Sequence, residues 1–234
     1  MYNYFMQQFF VNNILNINQT IELNSEINYQ LYKVLRAQDG YEFRLVDNNA
    51  NVFLCELRNK LAFIKEQLDE DNELKTEITV ILSLIKNDKF DFAIQKLTEL
   101  GVKRIVPYIA KRSVVKQGKG NNKIDRFKKI VCEASEQSHR NCIPEICDYA
   151  TYKDLNKYLS DINIIAYEKN YNIVNNFSDS KSITILIGPE GGFEKEEVEA
   201  IESLGFKSIS LGKRILRAET AAIYLTSIIV GANQ

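Results

Sequence analysis

Histidine is almost missing from this chain: of 234 residues only His139 is one. A single imidazole removes most acid–base schemes built on histidine, and His139, at a polar helix end, reads as a surface residue. Cysteine is scarce as well. Cys55, Cys132, Cys142 and Cys147 include no Cys-x-x-Cys spacing, so no metal site is expected. They read as reduced thiols that pack as small apolar groups. No apolar run approaches the roughly 18 residues that a membrane span requires. The best candidate, residues 221–232, is interrupted by Tyr224, Thr226 and Ser227 and suits a buried C-terminal helix. No basic segment precedes an apolar core at the N-terminus, so no secretion signal is expected and a cytoplasmic location is the default. The absence of Gly-x-x-x-x-Gly-Lys-Ser/Thr disfavours a phosphate-binding NTPase. Internal repeats and low-complexity tracts are lacking too.

A net charge of −1 completes the list of absences, but it conceals a strong asymmetry. Lys111, Arg112, Lys116, Lys119, Lys123, Arg126, Lys128 and Lys129 fall in one short segment opposed only by Asp125. Acidic residues gather elsewhere, in residues 66–77 and 190–202. Such a basic segment fits a polyanion partner, with a solvated charge run as the alternative. The 45% hydrophobic and 26% charged content is that of a globular chain.

Residues 1 to about 68 read as mostly β. Short apolar or alternating runs at residues 9–11, 20–23, 41–47 and 52–57 are separated by Asp39-Gly40 and Asp47-Asn48-Asn49 turn chemistry. Short strands on tight turns suggest a small barrel. Residues 24–36 are the exception, where Ile27, Leu31, Val34 and Leu35 share a helical face. The acidic stretch 68–73 marks a domain boundary. Beyond it, strands at 78–82, 104–109, 163–167, 182–187 and 208–211 alternate with helices, an α/β domain with a mainly parallel sheet. Asp88 is the expected cap of the first of these helices, and residues 122–140 the expected extent of the second.

Two glycine-bearing bends carry the most information. Ile187-Gly188-Pro189-Glu190-Gly191-Gly192-Phe193 and Leu211-Gly212-Lys213-Arg214-Ile215-Leu216-Arg217-Ala218-Glu219-Thr220-Ala221 each follow an apolar, β-branched run. Glycine lets backbone approach a ligand closely, and Pro189 stiffens the first bend. In an open α/β sheet ligands settle where the strand carboxyl ends meet such loops.

These bends, with Lys96-Leu97-Thr98-Glu99-Leu100-Gly101-Val102, Arg112-Ser113-Val114-Val115-Lys116 and Glu133-Ala134-Ser135-Glu136-Gln137-Ser138 plus Arg140, resemble the ribosomal RNA small subunit methyltransferase E family in order and approximate spacing. Gln8-Phe9-Phe10-Val11 and Tyr32-Lys33-Val34-Leu35-Arg36 match as well, so the resemblance runs nearly end to end. It implies a PUA-like, RNA-binding β-barrel over residues 1–70 and a SPOUT α/β methyltransferase domain over 71–234, tied in a deep trefoil knot. Periodicity shows no knot, and chains rarely thread one. The implied reaction is transfer of a methyl group from S-adenosylmethionine to N3 of one uridine in 16S rRNA near the decoding region, by a homodimer acting on the small ribosomal subunit. The family's usual arginines before Phe-Phe-Val are here Gln7 and Gln8, its histidine is Tyr29, its aspartate Tyr41, and its Ser or Thr helix cap Glu194.

By the same resemblance the cofactor rests on Ile187, Gly188, Glu190, Gly191 and Gly192 of the first loop and on Leu211, Gly212, Ile215, Leu216, Ala218 and Thr220 of the second. Ile215 and Leu216 would pack on the adenine. Methylating N3 requires loss of an imino proton and tolerance of negative charge over O2, N3 and O4. A carboxylate and an arginine are suited to that task, and Arg217 and Glu219 are the candidates in the second loop. An Arg217–Glu219 pair that only ties the loop together is the alternative. Arg36, Arg44, Lys111, Arg112 and Lys116 are expected to contact phosphates. Arg140, with Gln137, lines the RNA side of the site or, alternatively, forms a helix-surface ion pair or cap. Competing readings are a SPOUT enzyme with another RNA target and a non-catalytic ribosome-assembly factor.

Overall fold

Two patterns of hydrophobicity build two kinds of sheet in the computed structural model, which describes residues 6–113, 122–168, 177 and 180–233. By its internal contacts the chain divides into two compact units, Met1–Glu73 with Ser135–Cys142, and Leu74–Ala134 with Ile143–Gln234. The return of Ser135–Cys142 to the first unit has no counterpart in the sequence reading.

In the first unit β1 (Gln8–Phe10), β2 (Thr20–Glu22), β3 (Glu42–Val46), β4 (Val52–Arg58) and β5 (Leu61–Leu68) form one sheet in the order β1-β3-β4-β5-β2. Only the β1–β3 pair is parallel. The β3–β4 turn is held by Asp47, whose carboxylate accepts from the Asn49 and Asn51 backbone N–H groups at 2.9 and 3.0 Å. β5 is an addition to the expected strands. Its polar second half, Lys65-Glu66-Gln67, masks the alternation that buries Ala62 and Ile64. The buried residues Phe9, Phe43, Leu45, Phe53, Leu57 and Ile64 form the core, with the Phe9 and Phe43 rings edge to face at 6.1 Å.

The helix expected over residues 24–36 changes type midway. Asn24 caps α1 (Ser25–Tyr29) by accepting from the Ile27 N–H at 2.8 Å, and Gln30–Val34 then widens into a π-helical turn. There the Leu35 N–H bonds to the Gln30 carbonyl at 2.9 Å. The extra residue in the turn moves the face. Leu31 is fully buried, whereas Val34, expected beside it, is 56% exposed.

The second unit carries β6 (Glu77–Ser83), β7 (Arg104–Tyr108), β8 (Glu145–Ile146), β9 (Ile162–Ala166), β10 (Ser182–Ile187) and β11 (Lys207–Ile209) in the order β11-β9-β10-β6-β7-β8. Every pairing is parallel. Such a sheet must be covered on both faces, and its strands are accordingly continuous apolar runs. Ile78, Val80 and Leu82 pack with Phe90, Ile94 and Leu97 of α2 (Asn87–Glu99), Phe127 and Val131 of α3 (Asn122–Gln137), and Leu225 and Ile229 of α5 (Ala218–Ala232). Ile81, Val106, Ile165 and Leu186 pack on the other face with Val198 and Ile201 of α4 (Lys195–Ser203).

Two expected boundaries shift. Lys86 rather than Asp88 precedes α2, and Asp88 sits in the first turn, where a carboxylate suits the positive helix end. α3 stops at Gln137, because His139 adopts φ 55° and the Arg140 N–H closes back to the Ser135 carbonyl at 3.0 Å. Cys55 and Cys147 are buried free thiols pushed up to about 12 by burial, whereas Cys132 and Cys142 are partly exposed. Among the described residues no helix is long and apolar enough to cross a membrane, and no group of three His, Cys, Asp or Glu side chains is placed to hold a metal ion.

Candidate functional site

Because all six strands of the second unit run in parallel, the loops leaving β9, β10 and β11 emerge at one edge of the sheet. Between them lies a cavity of 370 Å³, within the range of small-molecule sites. Ile187, Gly188, Glu190, Gly191 and Gly192 line it from the β10 loop, and Leu211, Gly212, Ile215, Leu216 and Ala218 from the β11 loop. Of the residues expected to hold the cofactor, Thr220 alone is not in the lining. It is exposed, between the lining residues Ala218 and Ala221 in α5.

The first loop is packed from behind. A Cβ on Gly188 would stand 2.9 Å from the ring of Phe193, itself 2% exposed. The Gly192 N–H closes a turn onto the Pro189 carbonyl at 2.9 Å, with Gly192 at φ 65°. Arg112 straps the loop from outside, through Nη1 to the Gly191 carbonyl at 3.3 Å and Nε to Glu194 Oε1 at 3.4 Å. Glu194 stands where a helix cap was expected and makes no side-chain cap bond. It receives Arg112 and, at 3.7 Å, Lys111. The second loop is looser, with Gly212 at φ 110° in open space and Ile215 88% exposed.

Arg217 and Glu219 part company. Arg217 is exposed and lines the cavity, and its side chain makes no hydrogen bond or ion pair among the described residues. Glu219 is 9% exposed and absent from the lining. Its Oε1 lies 3.7 Å from Lys89 Nζ on α2, and its buried Oε2 has no hydrogen-bond partner among the described residues. The alternative Arg217–Glu219 ion pair is not formed either.

The candidate phosphate contacts also divide. Arg36, Lys111 and Arg112 are exposed, and Lys116 lies outside the described residues, as does Lys119 of the glycine-interrupted basic run. Arg44 and Arg140, by contrast, are 7% and 3% exposed and make ion pairs inside the first unit. Arg44 pairs with Glu70, and Arg140 with Glu73 at 2.5 Å. Gln8, in the place of a family arginine, donates to the Arg140 carbonyl at 2.7 Å. Arg44 Nη1 lies 2.9 Å from His139 Nδ1. A guanidinium only donates, so Nδ1 accepts, and the proton rides on Nε2, which bonds the Met6 carbonyl at 2.9 Å. Burial first, then the Arg44 charge, lowers the His139 pKa, against the opposing pull of the Met6 bond. Burial would raise the Glu73 carboxyl, yet the hydrogen bond and charge of Arg140 prevail and hold it below its ordinary value.

Ala166, Tyr167, Glu168, Pro189, Phe193, Arg214 and Ala221 also line the cavity without having been singled out for it. Ala166 ends β9, and Tyr167 and Glu168 follow it. The available signal was strand order, since the tip of a strand next to a glycine-loop strand faces the same crevice.

Residues 72–230 match the RNA methyltransferase domain family. The chain is 36% identical over 234 residues to ribosomal RNA small subunit methyltransferase E of Mesomycoplasma hyopneumoniae, covering 96% of this chain and 97% of that protein. With the protein of that name from Rickettsia conorii it shares 38% identity over 230 residues, covering 92% and 91%. A crystal structure of ribosomal RNA small subunit methyltransferase E from Neisseria gonorrhoeae, bound to S-adenosyl methionine, superposes with a TM-score of 0.88 at 30% identity over 95% of each chain.

Proposed function

Since this chain belongs to the ribosomal RNA small subunit methyltransferase E family, an rRNA methyltransferase using S-adenosylmethionine, we propose that it methylates N3 of one uridine in 16S rRNA near the decoding region. The observation that carries this reading is the convergence of both glycine loops on one cavity at the carboxyl ends of β10 and β11.

The lining fits the donor. Ile187, Leu211, Leu216 and Ala218 offer an apolar slot for an adenine, and the missing side chains of Gly188 and Gly191 let the backbone approach it closely. When bound, S-adenosylmethionine supplies a methyl group on a sulfonium whose sulfur departs with the bonding pair as a neutral thioether. The chain's task is to hold the uridine in line and to ease loss of the N3 proton. Arg217, exposed at the rim, stabilises the negative charge that spreads over O2, N3 and O4, so the proton is lost to solvent at lower cost. Glu219, turned to Lys89, acts as a positioning residue for the second loop rather than as the proton acceptor.

In this reading residues 1–70 are a PUA-like barrel that grips RNA, and residues 71–234 a SPOUT domain tied in a trefoil knot. Arg36, Lys111, Arg112 and Lys116 hold phosphates, with a corresponding loss of RNA affinity as salt rises. The enzyme works in the cytoplasm as a homodimer on the small ribosomal subunit, without a metal. The exposed Ile215, Tyr224 and Ile228 support a second copy of the chain as cover. Mass spectrometry of rRNA nucleosides from a deletion strain and its parent tests the reading. Loss of 3-methyluridine from 16S rRNA is expected, and its persistence, or loss of a ribose-methylated nucleoside instead, would overturn it.

A further inference from the structure

Among the described residues Glu168 is the cavity's carboxylate without a side-chain partner. It lies two residues past the end of β9, lines the 370 Å³ cavity, and has no hydrogen bond or ion pair among the described residues. The other lining carboxylate, Glu190, accepts from the Lys86 backbone N–H at 3.4 Å. Glu168 is not set apart from the glycine loop: its Oε1 is 3.2 Å from the point a Cβ would occupy on Gly192. A side chain at position 192 would press on this carboxylate, so the missing side chain and the φ of 65° together keep room for it.

The topology says what such a carboxylate faces. β9 is the sheet neighbour of β10, and β10 feeds the glycine loop. In doubly wound dinucleotide sites a glycine loop likewise follows one strand, and an acidic residue at the tip of the next accepts hydrogen bonds from a ribose hydroxyl. The chemistry agrees. A carboxylate accepts only, vicinal hydroxyls offer two donors, and charge-assisted bonds of this kind are the stronger class. Resting on the donor-binding reading above, we propose that Glu168 fixes the cofactor by accepting from the 2′- and 3′-hydroxyls of its ribose.

Calorimetry with the full-length protein tests this on three ligands: S-adenosylmethionine, S-adenosylhomocysteine and the 2′,3′-dideoxy analogue of the latter. Glu168→Ala is expected to weaken the first two equally, by about 10- to 100-fold, and to leave the weaker binding of the dideoxy analogue unchanged. Glu168→Gln, which keeps an acceptor oxygen and guards against misfolding of the alanine variant, should lose less on the same two ligands. A loss confined to S-adenosylmethionine would mean that the carboxylate answers the sulfonium charge, and would overturn the proposal. So would a loss that persists with the dideoxy analogue, or no loss at all. If the unaltered protein binds none of the three, the donor-binding reading itself fails, a result separate from any of these.

Discussion

The buried arginines of the first unit and the cavity arginine of the second are put to opposite uses. Arg44 and Arg140 of the first unit are buried and direct their donors to Glu70, Glu73 and His139, whereas Arg217 of the second stands exposed at the cavity, its side chain without a partner among the described residues. A buried guanidinium that loses its partner is expensive, so the first pair is locked in place. An arginine without a protein partner is free to meet charge that arrives from outside. Residue type and sequence context do not distinguish the two cases; partnership and burial do.

The largest way to break the contrast is at Arg140. Arg140→Ala should cost about 3 kcal/mol of stability, the low end for a buried pair because Glu73 keeps some exposure, while donor affinity stays within about twofold. Urea denaturation and calorimetry read both, and a stable variant that binds RNA poorly would show Arg140 to be a contact residue after all. Arg217→Ala should do the reverse, lowering turnover on 30S particles by about 10²–10³-fold with an unshifted denaturation midpoint. Near-normal turnover would remove Arg217 from the chemistry. Gly188→Ala sharpens the comparison from the cavity's side. Its Cβ would collide with the Phe193 ring, so a loss of about 1–3 kcal/mol and a drop in donor affinity are expected together in thermal melts and titrations. The smallest effect is the pH response of His139. Its folded pKa is lowered, so the unfolded chain binds the proton more readily, and the stability it contributes is present above about pH 6.5. That stability is lost as pH falls through the folded value, with a slope no steeper than about 1.4 kcal/mol per pH unit for one proton. His139→Gln should flatten this part of the stability–pH curve, and an unchanged curve would detach His139 from the lock.

What the sequence revealed follows the same division. The parallel strands were readable because burial on both faces writes them as nearly continuous apolar runs, such as Ile78-Thr79-Val80-Ile81-Leu82. The glycine loops were readable because close packing, as of Gly188 on Phe193, admits no other residue cheaply. β5 escaped because half of it is polar, and β8 because two residues leave no period to detect. The π-helical turn at Gln30–Val34 shifted a helical face that a fixed period had placed on Val34. Glu168 and the burial of Arg140 were invisible for a common reason: each depends on a neighbour far along the chain, Gly192 for one and Glu73 for the other.

Sheet order sets a timetable for the birth of this protein. β10 slots between β6 and β9, its Ser182 beside Glu77 and its Ile183 beside Ile162, while β11 joins β9 only afterwards in the chain. During synthesis the early strand β6 therefore waits for most of the polypeptide to emerge before its central neighbour exists. Such distant pairings make for slow maturation, and a nascent chain halted before β11 would have strands but no place for a nucleoside to dock.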